Sequence, residues 1–432
     1  MGLFKRLKRL MRDERGNVLV LGATVMPLLI GGAGFALDTV QISLTKRQLQ
    51  RAADSAAIAG ARSVLQADAD AATAAAAATP AVTRDLQIND DVTIEGAPVV
   101  GMPTTGTHAN NPRAVRVQLR TTQPLTFMSF FGTDESEITV EATAAAVTDG
   151  SFCMLSLEDG TDPGVTIGGN ATINLGCGIS TNSRAAQAIT AGGSSRVTAS
   201  PIMAVGGLPT ASNNHFTSGT QFVPYSAEQI DPFESLPTPS PSGCRAAPPD
   251  NKKATTTITP STPGYNATEG SFCFNGWDVD SSFNFSGFTK PTIVYINGGN
   301  FNLGSKADIN APNVVFVMTG SPVAALNMNA QAELNITAPT TGPYAGVAMY
   351  EDRRAPLNRV IKFNGGADVT INGALYFPRA NFEYNGGAGM VATCLQLIAR
   401  RLDFRGNGTI GNSCPANGGH DNFQATYVRL VA

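Results

Sequence analysis

Few residues in this 432-residue chain are equipped for chemistry. Glu351-Asp352-Arg353-Arg354 is the densest charge cluster of the C-terminal body. Carboxylates beside an arginine in a β-sheet groove can hold Ca²⁺ and a uronic acid, which would describe an enzyme acting on acidic polysaccharide. The same four residues also suit a solvated loop after Gly346–Tyr350, held by exposed ion pairs of little net worth. Asp278-Val279-Asp280-Ser281-Ser282 approaches an Asp-x-Ser-x-Ser metal site, but Asp280 stands where the first Ser belongs and no apolar strand precedes it. His108, His215 and His420 lie in Asn/Gly/Thr-rich stretches, and no CxxC occurs, so a zinc site is poorly supported. No Walker loop is present, which argues against an assembly ATPase. Tyr344, Tyr350, Tyr376 and Tyr384, with Phe363 and Phe382, suit either an exposed row for glycan contact or an interior stack. The reading is non-enzymatic, with no catalytic, cofactor-binding or metal residue assigned.

The six cysteines, Cys153, Cys177, Cys244, Cys273, Cys394 and Cys414, form an even set in one part of the chain. In an exported body that pattern reads as disulfides. Pairing neighbours in sequence gives Cys153–Cys177, Cys244–Cys273 and Cys394–Cys414. Each would close a loop of roughly 20–30 residues, worth on the order of 3 kcal/mol in the chain-entropy account.

These groups are positioned by elements that begin at one apolar run. Gly16 to Leu37 is 22 residues without a charge, and about 20 such residues cross a bilayer core. Lys5, Arg6, Lys8, Arg9, Arg12 and Arg15 precede it, and Asp38 follows. Flanking basic residues stay cytoplasmic, which sets the N-terminus inside and the body outside, in the periplasm or reaching the cell surface. A cleaved signal peptide shares the basic start, but this run exceeds the usual apolar core and lacks a clear small-x-small site before a polar break. The segment reads as a retained anchor in the bacterial inner membrane. Gly32 and Ala36 are four apart, a small-residue face that another membrane helix can approach.

From Asp38 to about Ala78 the sequence reads as one long helix continuing out of the membrane, stopped by Pro80. Val40, Leu44, Ala52, Ala56, Ala59 and Ser63 give it a narrow stripe. Ala114–Leu119 and Glu137–Ala142 alternate as half-buried strands, and Val92–Ile94 reads as a third. Pro124–Gly132, PLTFMSFFG, lies between the two longer strands as an apolar turn or short helix. The expected domains are a basic cytoplasmic tail (1–15), a transmembrane helix (16–37), a small α+β domain (38–149) and a mainly-β body (150–432).

Within the body, a Pro/Ser/Thr-rich excursion covers about 206–270. Beyond it, Gly turns recur at Gly298, Gly320, Gly342, Gly365, Gly386 and Gly406, every 20–23 residues, with short strand-like runs between. That period fits the rungs of a parallel β-helix, in which stacking supplies the core that one rung lacks. A β-sandwich is the alternative. Composition agrees with a turn-rich β protein: Gly 45, Pro 26, charged residues only 15% and hydrophobic residues 42%. No basic face for nucleic acid stands out at a net charge of −3.

The N-terminal pattern also carries a resemblance. Arg15-Gly16-Asn17, the apolar span, Asp38, Leu49-Gln50, Ala52-Ala53-Asp54-Ser55-Ala56-Ala57 and Ala59-Gly60-Ala61 resemble the N-terminal region of TadG-like and TadE-like proteins of the Flp (Tad) pilus-assembly system. The resemblance implies an inner-membrane protein with a periplasmic body that helps assemble or anchor pili, with other Tad/Flp assembly proteins as partners. Pilin members are cut after a Gly with Glu at the fifth position beyond it; here that residue is Leu21, which again favours a retained anchor. VYINGGNFNLGSKADINAPNVVFVMTG and the segment from Gly342 to Gly387 resemble β-helical adhesin-type bodies. Three functions follow as expectations: a scaffold or anchor of a pilus system, a membrane-anchored or surface adhesin that contacts glycans, or a polysaccharide-active β-helix enzyme.

Overall fold

The computed structural model describes residues 14–67, 71–87, 92–209, 214–364, 369–387, 389–392, 394–412 and 423–431. Two compact units are present: residues 1–147 with 428–432, and residues 148–427.

The first unit is built on helix α1 (Glu14–Ala67), which continues without a break from the apolar run into the family of small residues behind it. No described residue from 22 to 33 is buried. Burial begins at Gly34 and recurs at Asp38, Thr45, Leu49, Ala52, Ala53, Ala56, Ala57, Ala61 and Val64, one face at helical spacing. The expected stripe is therefore rotated: Val40 and Leu44 are exposed, and Ala59 and Ser63 are half-buried. Pro80 does not stop a single long helix. The helix ends at Ala67, and α2 (Ala71–Gln87) carries Pro80 inside it and buries Ala74, Ala78 and Val82. The stretch 68–70 between the helices lies outside the described residues.

The small-residue face packs on an antiparallel sheet of β1 (Val99–Gly101), β2 (Ala114–Pro124) and β3 (Glu135–Ser156). Val115, Val117 and Leu119 from β2, with Ile138, Val140, Ala142 and Ala144 from β3, form the core beneath the helix. A Cβ on Gly60 would lie 2.9 Å from Val115 Cγ1 and 3.3 Å from the Ala74 carbonyl oxygen, so glycine lets α1, α2 and the sheet meet there. The third strand is Val99–Gly101 rather than Val92–Ile94. The latter is irregular, although Thr93 O accepts from Thr121 Oγ1 (2.6 Å) and Glu95 N–H donates to Arg120 O (2.7 Å). The apolar turn becomes a 3-10 helix, Met128–Phe131. The chain's end returns to this unit, where Val431 N–H donates to Thr143 O (2.8 Å).

The second unit is a β-solenoid of about ten turns, a parallel β-helix and not a sandwich. Each turn contributes to three parallel sheets. In sheet A the spatial order is Ile202–Ala204, Gly178–Thr181, the end of β3, 394–399, 372–377, Val347–Glu351, Val314–Thr319, Thr292–Asn297 and Ser271–Phe274. Sheets B and C keep the same order. Spatial order is thus a permutation of sequence order. The chain enters in the middle of the stack through β3 and winds to one end by residue 223. It then crosses to the other end, and residues 256–412 wind back until 394–406 pair with β3 and Val165–Ile167. The two ends of the winding meet at this seam.

Inward side chains fill the solenoid. Trp277, Phe301 and Phe316 stack with ring centroids 5.4–5.8 Å apart along neighbouring pairs, and Trp277 meets Phe283 edge-on at 5.0 Å. Glycines bring backbones together at one corner: a Cβ on Gly193 would sit 2.4 Å from Gly169 O, on Gly169 2.8 Å from Gly406 O, and on Gly406 2.5 Å from Gly386 O. This column crosses the seam without interruption. Gly298 and Gly320 occupy equivalent turns, with φ of +67° and +106°. Gly342 does not: the rung between Phe316 and its partner Met349 is longer, and Gly342 lies in the added loop. The expected turn at Gly365 lies outside the described residues.

Disulfides join Cys153 to Cys177 and Cys244 to Cys273. Cys394 is also disulfide-bonded, while Cys414 lies outside the described residues.

Candidate functional site

The excursion predicted over 206–270 is in part a strap that connects the two ends of the solenoid. Ser226 N–H donates to Ala204 O (2.8 Å) at the first end. Gln229 and Asn182 exchange two hydrogen bonds of 2.9 Å. Arg245 N–H donates to Cys273 O (3.1 Å) at the other end, beside the Cys244–Cys273 bridge. Asp250 then accepts from Asp280 N–H (3.0 Å) and Ser281 Oγ (3.1 Å). Asp280 N–H and Ser281 Oγ thereby hold the strap to the turn after Trp277–Val279.

The Glu351–Arg354 cluster lies where the strap passes the middle of sheet A. Its carboxylates are not solvated, because Glu351 and Asp352 are 0% and 1% exposed, whereas the Arg354 side chain remains exposed. Glu351 pairs with Arg359, whose guanidinium also donates to Val323 O (2.8 Å) and Ala324 O (2.7 Å). Burial outweighs Arg359 and Arg379 and pushes the Glu351 carboxyl up to about 7. At Asp352 burial also raises the pKa. Hydrogen bonds from Arg354 and Thr319 outweigh it, and the carboxyl sits below its ordinary value. Arg353 donates to Leu236 O (3.1 Å), to Phe233 O and to Tyr376 Oη (2.7 Å). Tyr376 Oη donates to Asp231 Oδ2 (2.6 Å), and burial followed by that acceptor raises its pKa. Arg354 Nη2 donates to Pro239 O (2.8 Å). The cluster's donors thus point at strap carbonyls, which leaves them spent on structure.

A second buried cluster closes the seam. Glu158, 1% exposed, accepts from Arg400 (2.7 Å) and Arg401 (2.5 Å), and Arg401 also pairs with Asp162. Local pattern gives no hint of it, because Glu158 and Arg401 are 243 positions apart.

The aromatic row is interior. Tyr344, Tyr350, Tyr376, Tyr384, Phe363 and Phe382 are all at most 3% exposed, and Tyr350 stacks on Tyr376 at 5.4 Å. They form no platform for a glycan. Burial pushes the Tyr384 phenol up to about 12. His215 Nδ1 lies 3.1 Å from Ser195 O, and His420 is outside the described residues. Among the described residues no group of three or more His, Cys, Asp or Glu side chains could hold a metal. A cleft of about 300 Å³ is lined by Ala247–Asp250, Asn275–Asp278, Gly299 and Asn300. Gly32 and Ala36 are exposed on α1, with open space where a Cβ on Gly32 would stand.

The distinguishing surface is therefore the exposed apolar stretch of α1, the one helix among the described residues long and apolar enough to cross a membrane. No curated protein and no solved structure gives a significant match to the chain. Two family models do match. Residues 16–63 match "Putative Flp pilus-assembly TadE/G-like", and residues 52–144 match "Putative Tad-like Flp pilus-assembly". Those matches cover the apolar stretch, α2 and the sheet beneath them, and stop before the solenoid. Residues 16–144 are accordingly similar to Tad-type Flp pilus-assembly domains, and a β-solenoid follows them.

Proposed function

We propose that this protein is a single-pass inner-membrane component of a Tad system, with its N-terminus in the cytoplasm and both folded units on the periplasmic side. Its role is to scaffold or anchor the pilus machine, without catalysis, in contact with other assembly proteins. One observation carries the reading: the uncharged run continues as a single helix into the matched domain, and burial begins only at Gly34. Residues 22–33 are exposed apart from half-buried Gly31, as expected of a segment in lipid. The spent donors of the Glu351–Arg354 cluster support the non-enzymatic role. Gly32 and Ala36 remain available for a partner membrane helix.

Deleting the gene tests the role. Loss of Flp-type pili, restored by the full-length gene, is expected; normal piliation would overturn it. Protease treatment of intact cells separates a periplasmic body from a surface adhesin. The solenoid should survive until the outer membrane is permeabilised, and digestion in intact cells would favour the adhesin. Release of unsaturated sugars from acidic polysaccharide with Ca²⁺ would refute the non-enzymatic reading.

A further inference from the structure

The 3-10 helix Met128–Phe131 is fixed against α1 at the end of the uncharged run. Asp38, 1% exposed, accepts from the N–H groups of Phe127 (3.0 Å) and Met128 (2.7 Å) through Oδ2. One turn earlier, a Cβ on Gly34 would lie 2.4 Å from Cγ and Cδ1 of Phe127, so the ring occupies the space that only glycine leaves. Leu125 is buried and Phe127 half-buried, which orients the remainder of the turn outward. Phe130 and Phe131 are 85% and 81% exposed, the most exposed phenylalanines of the described chain.

Length fixes the depth of this turn. Residues 16–33, the part of the run before the fold takes hold, rise about 27 Å at 1.5 Å each. A bilayer's hydrocarbon core is about 30 Å thick. The span therefore needs about two residues beyond 33 to complete the crossing, and the turn is fixed on either side of that point, by Phe127 over Gly34 and by Asp38. A turn attached there stands at the headgroup boundary, where aromatic side chains are favoured. Two adjacent phenylalanines exposed to water would be a cost; at that boundary the same exposure places them among lipid.

We propose that Phe130 and Phe131 insert into the lipid interface of the leaflet from which α1 emerges, so that the domain is held on the bilayer by the turn as well as by the helix. This rests on the reading of α1 as a membrane anchor. Asp38 is the positioning residue: its carboxylate holds the turn's first N–H groups, and water need not reach them.

The test uses full-length protein in phosphatidylcholine vesicles, with lipids brominated either near the headgroup or near the chain ends. Phe131→Trp is compared with Leu28→Trp, a position in the exposed stretch of the span. Emission is taken as a difference from the parent, whose single tryptophan, Trp277, is buried in the solenoid. Tryptophan at 131 should show blue-shifted emission, lose most of it to bromines near the headgroup, and resist acrylamide. If Leu28→Trp is quenched by lipid while Phe131→Trp is not and stays open to acrylamide, the interface proposal is overturned and the anchor stands. If position 131 is shielded from both quenchers, protein covers it and the proposal also fails. If Leu28→Trp is untouched by lipid bromines, the anchor itself is refuted and the proposal goes with it.

Discussion

Residues 151–223 and 256–412 wind the same three sheets, yet they are held together by different means. Beyond the end of β3, the first arm has strands of two to four residues, filled by Ile167, Ile173, Ile179, Ile189, Val197 and Ile202. The second has strands of six residues in Thr292–Asn297 and Val314–Thr319 and longer ones in Val369–Gly386 and Cys394–Gly406, and buries Trp277 with Phe272, Phe274, Phe283, Phe285, Phe301 and Phe316. Stabilisation by burial scales with apolar area, so the first arm gains less per rung. Cross-links are present in both arms: Cys244–Cys273 fixes the strap to the long one. Cys153–Cys177 ties adjacent rungs of the short arm, and Glu158 with two arginines ties that arm to the last rung of the long one. In the long arm Arg353 and Arg354 serve the strap, while Glu351 pairs with Arg359 inside the arm. A permuted solenoid has one junction that chain continuity does not enforce, and the short arm lies on the dependent side of it.

The seam is where this contrast breaks most easily. Glu158→Ala removes the shared acceptor of Arg400 and Arg401, whose side chains are 12% and 28% exposed. Removing one partner of a buried ion pair typically costs on the order of 4 kcal/mol, because the remaining charge is left uncompensated. Hydrogen exchange should show loss of protection in 178–181 and 202–204, while 292–297 and 314–319 keep theirs. Equal loss in both arms would mean that the seam is no weaker than any other rung.

The strap offers the second break. Cys244→Ser with Cys273→Ser opens a loop of sequence separation 29, worth about 3.5 kcal/mol in the chain-entropy account. The loss should appear as a lower denaturation midpoint and as early proteolysis between 224 and 255. The rung at Ser271–Phe274 should fray before the short arm does. If the short arm frays first, the strap acts mainly on its other attachment, at Asn182 and Ala204.

Much of this was legible in the sequence, and what was hidden has a physical reason. The apolar run, the alternation of Val115, Val117 and Leu119, and the near-constant spacing of Gly298 and Gly320 each reflect a local period, and local periods survive in sequence. The order of the rungs leaves no such trace. A strand that pairs with 394–399 has the same alternation wherever it falls in the chain, so the permutation was invisible. Glu351–Arg354 stood out as a charge cluster, but its partners are carbonyl oxygens at Phe233, Leu236 and Pro239, and a carbonyl carries no residue signature. Tyr350 and Tyr376 looked equally suited to surface or interior, since a stacked column and an exposed row share one spacing. Phe130 and Phe131 read as part of an apolar turn or short helix; their exposure depends on Gly34 and Asp38, some 90 positions away.

Acidity separates the arms in a third way. The Glu351 carboxyl titrates at about 7 in the folded chain against an ordinary 4.5. A raised pKa means that the group favours folding when protonated. That contribution is complete below pH 4.5 and is lost as pH rises through about 7. Across this window the loss is on the order of 3 kcal/mol, from about 1.4 kcal/mol per unit. Wild type should therefore lose stability relative to Glu351→Gln between pH 4.5 and 8, with the change read in the long arm and at the strap. A constant difference between the two proteins across that range would show that Arg359 holds the carboxylate charged throughout.

The smallest effect asks whether the seam differs from other junctions at the surface as well as inside. Asn170 donates to Asn407 Oδ1 across the seam (2.9 Å), and Asn327 donates to Asn302 Oδ1 within the long arm (2.9 Å). The two bonds match in length and chemistry, and both are exposed. Such a bond contributes about 1 kcal/mol or less, since water replaces it readily. Asn170→Ala and Asn327→Ala should then each lower stability by that amount, measured by chemical denaturation under identical conditions. The two changes would be equal if the rungs at the seam are already held in register by Glu158 and the glycine column. If Asn170→Ala costs clearly more, the seam is opening on its own, and the side-chain bond is resisting that motion as well as making one contact. In that case the double variant Glu158→Ala, Asn170→Ala should lose more than the sum of its parts, because each change would remove what limits the other.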